Sequence, residues 1–143
     1  PGGVHFGMFV KYIELMGTEE HIKLYYNKAV NCEITGCYAQ TEVGHGSDIR
    51  SLETTATFDT ATKEWIIDSP TASSASTGRL NFIFANHAIV FAQTTINGKN
   101  VGVNPFLVPI KDKEYRWLPG VEGGDIGPKI GFHAKENGYL YFR

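Results

Sequence analysis

Cysteine is scarce and badly spaced for metal chemistry: the chain has two, Cys32 and Cys37, with four residues between them. That spacing is neither CxxC nor part of a four-ligand set, so no zinc site is expected, and two incidental reduced thiols are the plain reading. Charge of one sign is also missing. Thirteen basic and fifteen acidic side chains are spread along the sequence for a net charge of -2. Without a basic block or stripe there is nothing to track a phosphate backbone, so nucleic acid is not an expected partner. No apolar run approaches the roughly 18 residues that a membrane-crossing helix needs, and no signal-peptide pattern stands near the start. The sequence also lacks a GxSxG elbow, a P-loop and a GxGxxG fingerprint in a strand–helix frame, which argues against hydrolase and nucleotide-binding readings built on those motifs.

What is present suits one hydrophobic core in 143 residues. Phe6, Phe9, Val10, Ile13 and Met16 recur with helical spacing and predict one buried face. Gly17 supplies a stop, and Thr18 an N-cap for a second helix with Glu19 and Glu20 in its first turn. Ile22, Tyr25, Tyr26 and Ala29 make that helix's apolar face. Beyond Val30 the texture turns to strands. Leu52, Thr54, Ala56 and Phe58 alternate with Glu53, Thr55, Thr57 and Asp59, and a five-residue polar connection leads to Trp65-Ile66-Ile67 as a hairpin partner. His87 to Ile96 is a long apolar, β-branched run ending in Asn97-Gly98, a strong hairpin signal. Its partner would be Val101 to Ile110, where Pro105 and Pro109 suggest an edge strand or a bulge. Short strands with frequent turns favour a barrel or sandwich over a βαβ fold. The chain begins Pro1-Gly2-Gly3 and stops at Arg143 just after a strand-like run, so both ends read as cuts.

The stretch Gly36 to Asp48 stands out chemically. A predicted strand, Glu33 to Gln40, runs into a loop with two glycines and the hydroxyls of Thr41 and Ser47. Glycine lets backbone N–H groups approach a ligand closely, and such a loop suits a polar ligand edge or an anion, although from physics alone an ordinary glycine turn is the favoured reading. His5, His21, His45, His87 and His133 are scattered, without an i, i+4 pair, and read as structural or solvated; His45 alone lies in the loop. Trp65 and Trp117 read as core or barrel-end residues rather than cofactor platforms.

The run Tyr38-Ala39-Gln40-Thr41-Glu42-Val43-Gly44-His45-Gly46-Ser47-Asp48 closely resembles the signature of acyl-CoA oxidases, and more loosely that of acyl-CoA dehydrogenases. Leu52 to Asp59, Asn86 to Gln93, Leu118 to Val121, Gly124 to Phe132 and Asn137 to Leu140 resemble further motifs in the same order, so the likeness covers nearly the whole chain. The resemblance implies a mainly β fold, an antiparallel β-barrel like the family's middle domain over residues 31–143, preceded by two short helices (residues 1–30) from the end of an N-terminal helical domain. It implies FAD as cofactor, a fatty acyl-CoA as substrate and oxygen as acceptor. The products would be a trans-2-enoyl-CoA and hydrogen peroxide, made in the peroxisome by a homodimeric full-length enzyme. By position, Tyr38, Gln40, Thr41 and Gly78 would contact the flavin, and Gly46 and Ser47 the substrate. The family's general base is a glutamate of a C-terminal helical domain that this chain does not contain, so no catalytic residue is assigned and Glu42 is not promoted to the role. One stretch departs from the family. Where a Lys-Trp-Trp-Pro-Gly-Gly run is usual, this sequence has Ala75-Ser76-Thr77-Gly78-Arg79-Leu80-Asn81. Losing those aromatics removes stacking area from the cofactor. An acyl-CoA dehydrogenase, or a non-catalytic acyl-CoA-binding module with a decayed flavin site, are the alternatives.

Overall fold

The computed structural model describes residues 3–78, 84–131 and 137–143. Arg79 to Asn81, the end of the stretch that departs from the family pattern, lies outside them, as do Phe132 and His133.

Two short helices open the chain. The first, α1, winds with wide π-type turns over His5–Val10 and continues as regular α-helix over Lys11–Met16. The second, α2, runs through Glu19–His21, π-type turns at Ile22–Tyr26, and Asn27–Val30. Thr18 caps it as its sequence suggests: the hydroxyl accepts the His21 N–H at 3.2 Å, and His21 Nδ1 accepts the Thr18 N–H in return. Phe9, Val10 and Ile13 are buried as the periodicity predicts, but Phe6 and Met16 are 48% and 65% exposed. At Phe6 the wide turns are the reason, while Met16 lies at the end of the regular segment. A π-type stretch takes more residues per turn than the 3.6 on which the pattern rests, so the inward face rotates and brings His5 into the core instead.

Nine strands follow among the described residues: β1 (Gly36–Ala39), β2 (Thr41–Glu42), β3 (Thr55–Asp59), β4 (Glu64–Asp68), β5 (Ser76–Gly78), β6 (His87–Ile96), β7 (Lys99–Pro109), β8 (Val121–Asp125) and β9 (Gly138–Phe142). They form two sheets. In the first, β6 is the central strand. Along one side it pairs antiparallel with β7. Its other side is shared: β1 pairs parallel with its first half (Gly36 opposite His87), and β3 pairs parallel with its second half (Thr55 opposite Gln93). β4 closes that sheet as the hairpin partner of β3, with Phe58 opposite Trp65. The second sheet, in the order β2-β5-β9-β8, is antiparallel throughout. The expected all-antiparallel pairing is therefore corrected, and closure into a barrel is not shown. The sheets do not close into a ring among the described residues, and two of the pairings to β6 are parallel. The mainly β character and the two leading helices are as expected.

The β6–β7 turn has the geometry its dipeptide demands, with φ of 50° at Asn97 and 73° at Gly98. The ladder shifts register between Gln93 and Thr95, where Gly102 takes a φ of 93°, so the bulge sits on β7. Among the described strands β7 pairs with β6 alone, and an edge is where Pro105 and Pro109 can be tolerated.

Because strand side chains alternate, β6 is buried on both faces. Ala88 and Val90 point into a core shared with Cys37, Ala39, Ile110, Leu140 and Phe142, between the two sheets. Ile89 and Phe91 point the other way, onto Phe9, Val10, Ile13 and Ala29 of the helices. Each large side chain fully removed from water contributes about 1.5–3 kcal/mol, so these two clusters are what hold helices and sheets together. His5 pins the second cluster. Its Nδ1 accepts the Gly36 N–H at 3.0 Å, which leaves the proton on Nε2 to donate to the Ala29 carbonyl at 2.9 Å. Gly36 must be glycine for packing reasons, because a Cβ there would lie 2.0 Å from the Phe9 ring. Burial pushes the Cys37 thiol up to about 12, so it stays protonated as a small core residue, and Cys32 is a free thiol at the surface.

Candidate functional site

The chain passes from the first sheet to the second at Gln40, between the last residue of β1 and the first of β2. Beyond it, Thr41 stands opposite Thr77 of β5 and its hydroxyl donates to the Thr77 carbonyl at 2.5 Å. Gly78 ends β5, opposite Gly138 of β9. Gln40, Thr41 and Thr77 are all half-buried. Among the described residues nothing hydrogen-bonds the Gln40 amide. Tyr38, two residues earlier, is turned toward the helices. Its ring packs at 5.8 Å from Tyr12 and 5.3 Å from Phe91, and burial raises its hydroxyl above the ordinary tyrosine value of 10.0. The structure thus brings Thr41 and the end of β5 together and sets Tyr38 on the helix-facing side of the sheet.

After Thr41 the chain makes a loop whose foot is heavily bonded and whose tip is free. Glu42 is buried, and its two carboxylate oxygens accept the backbone N–H groups of Glu53 at 2.9 Å and Thr54 at 2.8 Å. Two amide donors satisfy a buried carboxylate without a cation. Glu42 N–H donates to the His45 carbonyl, and His45 N–H to the Glu42 carbonyl. Val43 and Gly44 N–H groups donate to the carbonyls of Ala75 and Ser73. Glu53 completes the foot: its side chain accepts from the Thr71 hydroxyl, from the Ser73 hydroxyl at 2.8 Å, and bonds His45 Nε2 at 3.0 Å. The Thr71 bond, then the Ser73 bond, then His45 hold the Glu53 carboxyl below its ordinary value of 4.5. Ligand atoms of Glu42, His45 and Glu53 lie within 4.8 Å of one another, but the Glu42 oxygens already face backbone amides, so the trio binds the loop to its neighbours. At the tip, Gly46 and Ser47 are exposed. Gly46 has no positive φ, and a Cβ built on it meets nothing within 4 Å.

Sequence reasoning did not find Glu53, Thr71 or Ser73. Glu53 looks like the solvent-facing member of an alternating strand, and its eleven-residue separation from Glu42 carries no periodic signal. Thr71 did carry a local one. Thr71-Ala72-Ser73-Ser74 is a hydroxyl capping box, realised with Thr71 Oγ1 accepting the Ser74 N–H and Ser74 Oγ accepting the Thr71 N–H.

Residues 37–143 match the family described as acyl-CoA dehydrogenase, middle domain, and residues 1–35 match the family described as acyl-coenzyme A oxidase N-terminal. Peroxisomal acyl-coenzyme A oxidase 1 of Arabidopsis thaliana is 43% identical over 145 residues, which cover 97% of this chain and 22% of the relative. An acyl-CoA oxidase from Lycopersicon esculentum (tomato) superposes with a TM-score of 0.91 at 41% identity, over 99% of this chain and 22% of that one. Acyl-CoA oxidase-2 in Caenorhabditis elegans, bound with FAD, ascaroside-CoA and ATP, superposes with a TM-score of 0.91 at 37% identity, over 100% and 22%. The chain thus spans about a fifth of the length of the relatives it matches. Two adjoining family matches that between them take in nearly every residue, with a shared fold at about 40% identity, leave one conclusion: this chain belongs to the acyl-CoA oxidase family.

Proposed function

We propose that the chain is one segment of a flavin-dependent acyl-CoA oxidase, in which it supplies contacts to FAD and to a fatty acyl-CoA. The full-length enzyme converts the acyl-CoA to its trans-2-enoyl-CoA and passes the electrons to oxygen, giving hydrogen peroxide. It acts as a homodimer in the peroxisome, the compartment named for the relatives. Residues 1–30 end a preceding helical domain and residues 31–143 form the middle β domain, a division supported by family matches that meet between residues 35 and 37. The two sheets are read as parts of one barrel-like body, supported by the bonds that join Ser69 after β4 to Phe142 of β9.

The observation that carries this reading is Gly46. A Cβ built there meets nothing within 4 Å and its backbone is unstrained, so the loop tip leaves room beside Ser47 for a group from outside the chain. The residues at the sheet junction also fit a flavin. The Gln40 amide and the Thr41 and Thr77 hydroxyls offer neutral donors and acceptors, and the neighbouring Glu42 charge is turned away onto amides. Gln40, Thr41 and Gly78 would hold the polar edge of the ring, with Tyr38 behind them, and Gly46 and Ser47 would receive the acyl-CoA. Bound FAD supplies the acceptor for a hydride from the substrate. The chain's own part is to orient and to exclude water, and the base that takes the α-proton comes from elsewhere in the enzyme. Glu42 cannot take that role without giving up two backbone amides.

The test is an anaerobic visible spectrum of the full-length protein before and after a saturated straight-chain acyl-CoA is added. Bleaching of a flavin band, then peroxide on admitting air, is the expected result. Bleaching without peroxide would point to a dehydrogenase. A second reading, an acyl-CoA-binding module without flavin, is favoured by the absence of the family's tryptophans from Ala75 to Asn81. A protein that binds acyl-CoA but takes up no flavin would establish it.

A further inference from the structure

The Val43–Asp48 loop presents the residues read above as the substrate contact, yet its tip has no support of its own. Gly46 and Ser47 are exposed, and no described group bonds the Ser47 hydroxyl. The tip is held through its two neighbours: Asp48, whose carboxylate accepts the Ser51 hydroxyl at 2.6 Å, and His45, whose backbone pairs with Glu42 and whose side chain is held by Glu53, 3.0 Å away. Glu53 stands on a separate segment, just before β3, and it also grips the Thr71–Ser73 turn through two hydroxyls. That turn leads directly into β5, whose Thr77 accepts the Thr41 hydroxyl. One carboxylate therefore joins the substrate-facing loop to the strand that borders the junction.

We propose that Glu53 is a positioning residue for acyl-CoA binding: by holding His45 against the Thr71–Ser73 turn it keeps the Gly46–Ser47 tip preformed. The inference rests on the reading of Gly46 and Ser47 as substrate contacts and deepens it. Three donors converge on this carboxylate, and a preformed loop binds more tightly because its ordering cost is met before the ligand arrives. Glu42 has a different task. It anchors the foot of the loop to the backbone of Glu53 and Thr54, so it carries the fold of the segment rather than the pose of the tip.

The experiment uses Glu53→Gln in the full-length enzyme, with Ser73→Ala as a milder second variant. Glutamine keeps the size and an acceptor for the hydroxyls but loses the charge that holds the imidazole. Losing a charge-assisted hydrogen bond predicts a rise in KM for a straight-chain acyl-CoA of roughly tenfold in Glu53→Gln, and a smaller rise in Ser73→Ala. kcat should stay within about twofold, as for a loss of binding common to ground and transition states, and the visible flavin spectrum should match the wild type. An unchanged KM in both variants overturns the proposal, as does a kcat that collapses together with flavin content, which would make the network a support for the cofactor or the fold. If Glu53→Gln does not fold, Ser73→Ala decides by the same criterion. A wild-type enzyme that binds flavin but ignores every acyl-CoA overturns the functional reading and this inference with it. A working wild type with unchanged variants overturns the inference alone.

Discussion

Two glycines mark two kinds of surface in this molecule. Gly36 lies where helices meet the first sheet, and every atom around it is spoken for within the chain: the Phe9 ring lies against it, and its N–H donates to His5. Gly46 lies at the tip of the loop after β2, with open space around it and no backbone reason to be glycine. The first region is complete in itself, while the second is built at its foot and left open at its tip. The contrast teaches that a glycine's meaning depends on what a side chain would strike. At Gly36 it would strike the protein. At Gly46 it would meet nothing within 4 Å.

That contrast can be broken at the closed face first. His5→Ala removes the acceptor used by the Gly36 N–H and opens a cavity beside Phe9, and should cost about 2–4 kcal/mol in urea denaturation of the full-length protein. Gly36→Ala forces a Cβ into the Phe9 ring and should cost about 1–3 kcal/mol by the same measurement. Next comes the foot of the loop. Glu42→Gln turns an amide NH2 toward one of the two backbone N–H groups it now accepts, and should cost about 1–2 kcal/mol. At the tip, Gly46→Ala should leave stability within about 0.5 kcal/mol while raising KM for acyl-CoA. A Gly46→Ala enzyme that loses stability as Gly36→Ala does would erase the distinction.

Acid separates the same two regions. His87, beside Tyr25 on the helix-facing side, has its imidazole pushed below 6.5 first by burial and then by the Lys28 charge. A base with a lowered folded value contributes stability above the unfolded value and loses it as pH falls, so His87 should begin to cost stability below about pH 6.5. Glu53, held below 4.5, follows the same sign at lower pH: its contribution is present above 4.5 and fades as pH drops through its folded value. Denaturation midpoints measured from pH 7 to pH 3 should therefore fall in two stages. His87→Gln should remove the first stage, and Glu53→Gln should shrink the second, which Asp112, also held below its ordinary value by Arg116, shares.

How much of this could be read from residues alone depended on the range of the interaction. The β6–β7 hairpin was legible because Asn97-Gly98 supplies its positive φ angles locally, and the β3–β4 hairpin because alternation is a local pattern. The inward set Leu52, Thr54 and Ala56 followed from the same alternation. The parallel pairings of β1 and β3 with β6 were not legible, since they join residues about fifty and forty apart and leave no mark on either strand's composition. On α1 the helical period misplaced Phe6 because the winding there departs from 3.6 residues per turn, and Met16, at the end of the regular segment next to Gly17, stays exposed. The candidate site divides in the same way. Gln40, Thr41, Gly46 and Ser47 stood out in one short motif, whereas Glu53, Thr71 and Ser73 join it only once three separated segments have folded together.

The sharing of one side of β6 between β1 and β3 has a consequence for how the protein is made. During synthesis, β1 and β3 leave the ribosome well before residues 87–96, and until then neither has its partner edge. The helices wait as well, because Ile89 and Phe91 form the floor on which Phe9 and Tyr12 pack. Until then the first 86 residues present exposed apolar helix faces, an unpaired β1 and a β3–β4 hairpin with one open edge, the kind of species that chaperones hold. Emergence of β6 is the event that lets the two halves of the chain close on each other, and pausing of translation just before it is where misfolding would be most costly.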